Sequence, residues 1–376
     1  MLIEPSQRSS HGTWIEIRLD RLLANLKAIH SHAAFPCEVL AVIKANAYGH
    51  GLLPIARALG NRVAYLGISS LAEAVELKEH GIETPLFLFG CYRAPEIQTL
   101  LCDGITLSLS SLEEAQEISA LSKSLGRKTP VHIKVDTGMG RLGIPYREAF
   151  KTIEKIAGLP GLIAEGIYTH FPTAELADGF AEQQLREFAV LLEELERIGI
   201  QFRYRHASNS AASLSIHSPV LNVIRPGIML YGIYPEDSLR RDISLSPILS
   251  LKSRILFLKK LLPGESSGYG RDFVASRPTT IAVLPIGYSH GYPFSASNRA
   301  SVLFRGKRFP TAGRVSMDYL CFDLGDTTAR VGEEVTLLGE DGENFIETEE
   351  LARWSDTIPY EIVTRLSSRL PRFYRP

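Results

Sequence analysis

The chain is poor in cysteine and tryptophan, with four and two of them among 376 residues. Cys37, Cys91, Cys102 and Cys321 are scattered, without a C-x-x-C pair or a neighbouring histidine pair. That spacing speaks against a disulfide-stapled secreted scaffold and against a zinc site, and for reduced thiols and no bound metal. No run of about 18 apolar residues is long enough to cross a bilayer. The opening stretch MLIEPSQRSSHGTW has no charged segment leading into an apolar one, so no secretory signal is read there. Neither sign of charge dominates: 41 Lys and Arg face 42 Asp and Glu. Without a basic stripe or a charged tail, nucleic-acid and membrane partners are not expected. A cytoplasmic protein acting on a small molecule fits these absences.

What is present is ordinary globular composition, 45% hydrophobic and 22% charged. The length suits two domains, or one large barrel with an addition. Residues 14–17, WIEI, alternate like a short strand, and LDRLLANLKAIHSHA follows at helical spacing with Asp20 as a candidate cap. Eight short apolar and β-branched runs then recur: 39–44, 63–69, 85–90, 105–110, 131–136, 162–171, 204–209 and 223–230. Helical patterns such as LAEAVELKEHG and AEQQLREFAVLLEELERIG lie between them. Eight strands alternating with helices predict a parallel (β/α)8 TIM-like barrel, with an open doubly wound sheet as the alternative. After about residue 240 the helices fade. LKSRILFLKKL, TTIAVLPIGY, ASVLFRG, YLCFDLG and EEVTLLG read as short strands of a mainly antiparallel β-domain. The expected division is 12–240 for the barrel and 241–376 for the β-domain.

Barrel enzymes build their sites at the C-terminal ends of the strands. Polar residues collect there in this sequence. Lys44 ends the first run in VLAVIKANAYGHG. Lys134, Asp136 and Arg141 end and follow the fifth, and His170 ends the sixth. His206, Asn209 and Ser210 end the seventh, and Arg225, Gly227 and Ile228 lie in the eighth. Each has a structural reading alone, since a strand-end histidine is commonly a satisfied core residue and Lys134 with Asp136 could be a plain ion pair. Together they point to a site. A buried lysine loses its proton readily and can join a carbonyl as a Schiff base, which is how pyridoxal phosphate is held. The Asn209-Ser210-Ala211-Ala212-Ser213 stretch could open a helix whose free amides attract its phosphate. Tyr48, Gly227 and Ile228 could add donors, and Arg225 is the candidate partner of its ring nitrogen.

VIKANAYGHG, HIKVDTGMGRLG, HASNSAA, IRPGIMLYG, GYGRDF, PIGYSHGYP, GRVSMD and IPYEIVTRLSSRLPR occur in that order. With them the chain resembles the alanine racemases, fold-type III pyridoxal phosphate enzymes, from about Trp14 to Arg372. The resemblance implies that Lys44 holds the cofactor and serves as one base. It implies that Tyr48, Ser210, Gly227, Ile228 and Tyr360 bind its phosphate and that Arg225 faces the pyridine nitrogen. Tyr269 would be the second base, delivered by the β-domain of the other subunit of a homodimer. Arg141 would contact the cofactor and the substrate carboxylate, and His170 would bond Tyr269 and Arg225. Met317 and Asp318 would lie at the carboxylate, and Tyr288 with Tyr360 would narrow the entrance. Lys134 matches a lysine that family members often carbamylate. Glu175 stands where members often carry an aspartate near the entrance.

Two bases on opposite faces can move an α-proton directly, whereas one must swing or exchange with solvent. Free lysine and tyrosine have pKa values of roughly 10, so both must shift or share a proton. Arg141, Arg225 and His170 are expected to supply positive surroundings. The Arg225-Pro226-Gly227 sequence separates the chain from decarboxylases of similar architecture, which place glutamate in an E-P-G motif. The product would be D-alanine for peptidoglycan. The alternatives are a related racemase acting on serine or lysine, and a non-catalytic cofactor-binding protein on the same barrel. The latter class lacks the β-domain and its tyrosine.

Overall fold

A computed structural model of the chain describes residues 11–33, 36–90, 92–176, 178–236 and 243–376. Cys91, most of the opening stretch and the expected boundary at 240/241 lie outside the described residues. Cys37, Cys102 and Cys321 are free thiols.

The first strand is β1 (Thr13–Arg18). Eight parallel strands follow that close on themselves: β2 (Glu38–Val42), β3 (Tyr65–Ile68), β4 (Leu86–Leu88), β5 (Thr106–Leu109), β6 (Thr129–Asp136), β8 (Leu162–Tyr168), β9 (Tyr204–His206) and β10 (Val223–Ile224), with the two-residue β7 (Ile144–Pro145) off β6. The sheet runs in the order β5-β4-β3-β2-β10-β9-β8-β6, and pairing of β5 with β6 closes the barrel. Every residue of β3, β4 and β5 is buried, as expected of parallel strands covered on both faces. The helices outside are amphipathic. Helix Phe180–Arg197 buries Ala181, Gln184, Phe188, Leu191 and Leu195, one stripe at helical spacing.

The barrel lumen is unusual in its chemistry. Tyr65, Phe87, His132, Tyr168, Tyr204 and His206 stack through it, with Tyr168 and His206 4.8 Å apart and parallel within 3°. The last run shortens to Val223–Ile224 before a 3-10 turn at Ile228–Tyr231.

Beyond residue 248 the strands are mainly antiparallel, as the sequence suggested, in sheets built around Leu249–Arg254, Glu334–Asp341 and Thr279–Leu284, the exception being Arg372–Arg375, which pairs parallel with β1. The WIEI strand joins this part and not the barrel. In β1, Ile15 pairs antiparallel with Leu251 and parallel with Arg372. Alternation predicts a strand but says nothing of its partner, which lies over two hundred residues away. Asp20 is not a cap either: it sits in the first turn of helix Leu19–His32 and pairs with Arg18, the residue before that helix.

Candidate active site

A cavity of about 620 Å³ opens at the C-terminal end of the barrel strands. Its wall contains Lys44, Tyr48, Lys134, Arg141, His170, Ser210, Arg225, Gly227, Ile228 and Tyr360 together. Asn209 lines it too, whereas Asp136 and His206, also expected at the strand ends, do not. Four of the lining residues are cations (Lys44, Lys134, Arg141 and Arg225), and no described lining residue is acidic. In a chain of near-zero net charge, that concentration makes a trap for anions.

Arg225 is fixed from behind. It is 3% exposed. It donates to His206 Nδ1 at 3.0 Å, to His170 Nδ1 at 3.2 Å and to the carbonyls of Thr169 and Ala207 at 3.0 and 2.8 Å. Its guanidinium also lies 5.4 Å from the Tyr168 ring centre. Burial lowers its pKa to about 10, which still leaves it charged at neutral pH.

These bonds decide histidine protonation. An arginine can only donate, so His170 and His206 both accept at Nδ1. The proton of neutral His170 is therefore on Nε2. Burial first, then Arg225, Arg141, Lys134 and Lys44, pull His170 down to about 3. His170 is thus neutral, contrary to the expectation that it adds positive charge; the cations alone do so. Behind it, His206 Nε2 meets His132 Nδ1 at 2.8 Å, and His132 Nε2 is buried with no partner among the described residues. The sequence placed His206 at the end of the seventh run, but its bonds to Arg225 and His132 were not readable there.

The opposite end of the cavity is a cradle of donors. Gly227 N–H donates to Ser210 Oγ at 2.9 Å. A Cβ on residue 227 would come 2.6 Å from Tyr48 Oη, so any side chain there would fill this end. Burial holds the Tyr48 phenol far above its usual pKa, and burial, then Glu175, raises Tyr360 to about 12. Both hydroxyls therefore remain donors. The expected helix after Asn209 is only the single turn Ala212–Ser215, with Asn209 Oδ1 capping the Ala212 amide at 2.9 Å. Hydroxyls and loop amides, not a helix dipole, make this end. The residues fit a phosphorylated aldehyde: an amine at Lys44, hydroxyl donors at Tyr48 and Tyr360, and the Arg225 guanidinium line the same cavity.

The segment that follows Lys44 has a rare backbone. Ala45, Asn46 and Ala47 have φ/ψ of 55/52°, 54/46° and 53/50°, and Tyr48 has φ 53°. Four successive non-glycine residues in a left-handed turn cost roughly 1–2 kcal/mol each. Nothing in Ala-Asn-Ala-Tyr announces it. Phe89, Leu142 and Tyr168 also line the cavity without having been expected. Glu175 lies in an adjoining cavity of about 480 Å³ that shares Asn209 and Tyr360 with the first.

The other expected residues are elsewhere. Tyr269, Tyr288 and Met317 are 72%, 45% and 54% exposed on the β-domain, and none lines the cavity of its own chain. They are held together by their loops: Ser289 N donates to Met317 O at 3.0 Å, Tyr288 N to Ser316 O at 3.0 Å, and Ser289 Oγ to Asp318 at 3.0 Å. The Tyr269 turn is braced by the Arg314–Asp272 ion pair at 2.6 Å.

Two family models account for this arrangement, the N-terminal domain of alanine racemase over residues 17–235 and its C-terminal domain over 248–374. The chain belongs to the alanine racemase family. It is 40% identical to the alanine racemase of Geobacter sulfurreducens, over 97% of both chains. It is similar in structure to an alanine racemase of Clostridium difficile 630, with TM-score 0.91, 35% identity and coverage of 97% and 96% of the two chains. The alanine racemase of Bacillus anthracis with bound L-Ala-P is also similar, with TM-score 0.89, 32% identity and coverage of 97% and 95%. As a member of this family the chain is an isomerase, and both the barrel and the β-domain are parts of the family's fold. No helix among the described residues is long and apolar enough to cross a membrane.

Proposed function

We propose that this protein interconverts L-alanine and D-alanine with pyridoxal 5'-phosphate as its cofactor. It does so as a cytoplasmic homodimer, and it supplies D-alanine for peptidoglycan. The observation that carries this reading is the cavity, free of described Asp and Glu side chains, in which Lys44 lies with Arg141 and Arg225 at one strand end. It suits a phosphate and a substrate carboxylate at once.

When bound, the cofactor withdraws electrons from the substrate's Cα and so acidifies the α-proton. Lys44 is the residue that holds it. Tyr48, Ser210, Tyr360 and the amides of Gly227 and Ile228 hold its phosphate. Arg225 would face the ring nitrogen and, being charged, would disfavour its protonation, which would favour prompt proton return over side reactions. Arg141 holds the substrate carboxylate, and Lys134, in carbamylated form, accepts a bond from Arg141.

Proton movement needs a second base on the other face. Tyr269 is exposed and does not line the cavity of its own chain, and in this reading it enters the cavity of another copy. One of the pair Lys44 Nζ and Tyr269 Oη takes the α-proton; the other returns a proton to the opposite face. His170 carries its proton on Nε2 and can donate it to the Tyr269 oxygen, which stabilises the phenolate. Acid–base catalysis of this type contributes about 10²–10⁴-fold. Met317, Asp318 and Tyr288 arrive with Tyr269 and close the entrance. In this reading residues 12–240 form the barrel unit and 241–376 the unit that serves the partner, with β1 of the first segment built into the sheet of the second.

Borohydride reduction of the cofactor-loaded protein tests the reading. The cofactor is expected on the peptide containing Lys44. Label on another lysine, or on none, would overturn it.

A further inference from the structure

Two barrel strands end in nearly the same words: Ser69-Ser70-Leu71-Ala72-Glu73 after β3 and Ser110-Ser111-Leu112-Glu113-Glu114 after β5. In both, the second serine caps a helix: Ser70 Oγ accepts from Glu73 N at 3.2 Å, and Ser111 Oγ from Glu114 N at 3.1 Å. In both, one glutamate oxygen takes the amide of the first serine, at 2.9 Å for Glu73 and 2.7 Å for Glu114. There the likeness stops. The second oxygen of Glu73 leaves its own helix and accepts from Ala45 N at 2.6 Å and Asn46 N at 3.4 Å. Among the described residues Glu114 makes no such bond to another loop. Helix capping explains half of Glu73 and leaves the other half without a local purpose.

That half meets the left-handed turn that begins at Lys44. A strained backbone persists only where its surroundings over-determine it. Here the turn's first free amides are taken by Glu73, and Asn46 Oδ1 closes the far side by accepting from Leu52 N at 2.8 Å. The carboxylate thus ties the loop after β2 to the loop after β3, whose Ser69 also lines the cavity.

We propose that Glu73 is a positioning residue for the catalytic reaction: through the Ala45 and Asn46 amides it holds the left-handed turn that aims Lys44 and Tyr48 into the cavity. The inference rests on the role given above to Lys44. It needs no contact between Glu73 and substrate.

The test compares Glu73→Ala and Glu73→Gln with Glu114→Ala, which removes the same helix-capping bond and nothing else. Amide hydrogen exchange is measured on the cofactor-free protein, and kcat and KM on the loaded enzyme. Glu73→Ala is expected to speed exchange across residues 45–51 by about tenfold or more, because that turn opens locally. It is expected to lower kcat by about 10–100-fold with KM little changed, the effect of a misaimed group. Glu73→Gln keeps one acceptor oxygen and falls between; it carries the test if the alanine variant does not fold. Glu114→Ala leaves 45–51 and kcat as in the parent. Parent-like exchange at 45–51 in Glu73→Ala, or the same change in Glu114→Ala, overturns the proposal. Failure of the Lys44 role itself would appear in the unaltered protein as cofactor trapped elsewhere, whereas the exchange result on cofactor-free protein still decides what Glu73 holds.

Discussion

The barrel mouth and the β-domain face that bears Tyr269 are built on opposite rules. At the barrel mouth every functional group is braced. Arg225 is buried behind four acceptors, Lys44 leads into a strained turn, and a Cβ on Gly227 would meet the Tyr48 hydroxyl. On the β-domain the loops are braced but the side chains are displayed, Tyr269 most of all. A surface that presents tyrosines and a methionine while its own cavity lacks them is half of a site looking for the other half. On the proposed reading, cofactor chemistry and dimer formation would be coupled, because neither half has both bases.

Replacing Lys44 breaks the comparison hardest. Lys44→Ala should lower turnover by about 10⁴-fold or more, since it removes both a base and the cofactor's anchor; loss is read by chiral assay and by the cofactor's absorption. Tyr269→Phe should lower racemisation by about 10²–10⁴-fold while leaving the cofactor bound, because only the proton donor goes. Mixing the two inactive variants sharpens the point. A mixed dimer has one site with Lys44 from one chain and Tyr269 from the other, so activity should reappear on subunit exchange. No recovery, with mixed dimers shown to form, would place Tyr269 in its own chain's site.

Smaller effects follow. Gly227→Ala puts a Cβ against the Tyr48 hydroxyl. Cofactor affinity should fall about tenfold, or about 1.4 kcal/mol, by equilibrium titration. Arg225→Glu should raise the ratio of transamination to racemisation, measured as pyridoxamine formed per turnover; an unchanged ratio counts against the role given to Arg225. The last expected effect is on stability in acid, separate from catalysis. Burial, the largest cause in each case, holds His50, His132 and His170 near 3 against an ordinary value of 6.5. The unfolded chain therefore binds more protons between pH 6.5 and 3. Stability is complete above about 6.5 and declines as pH falls toward 3, by at most about 1.4 kcal/mol per pH unit per histidine. Denaturant midpoints at pH 7 and pH 5 check the sign.

Much of this was legible in the sequence because it is local. A β-branched run followed by a turn and an amphipathic helix is written in consecutive residues, and the end of each run marks where the site must be. Lys44, Lys134, His170, Ser210 and Arg225 could be named that way and do line the cavity; Asp136 and His206 were named that way and do not. What was not legible is set by distant partners. β1 alternates correctly, yet its destination depends on Leu251 and Arg372. The neutrality of His170 depends on burial and on Arg225 as donor. The turn after Lys44 is hidden by residues of good helix propensity and is held by a carboxylate from the next strand's helix. The role of the exposed Tyr269 came from the family resemblance alone, because no local pattern in GYGRDF says where its side chain goes.

The most direct measurement is proton NMR of L-alanine in D2O with the purified protein and added cofactor, run beside a chiral assay. The account predicts that the α-proton signal disappears while D-alanine accumulates. An α-proton signal that persists, with no D-alanine formed, would contradict it.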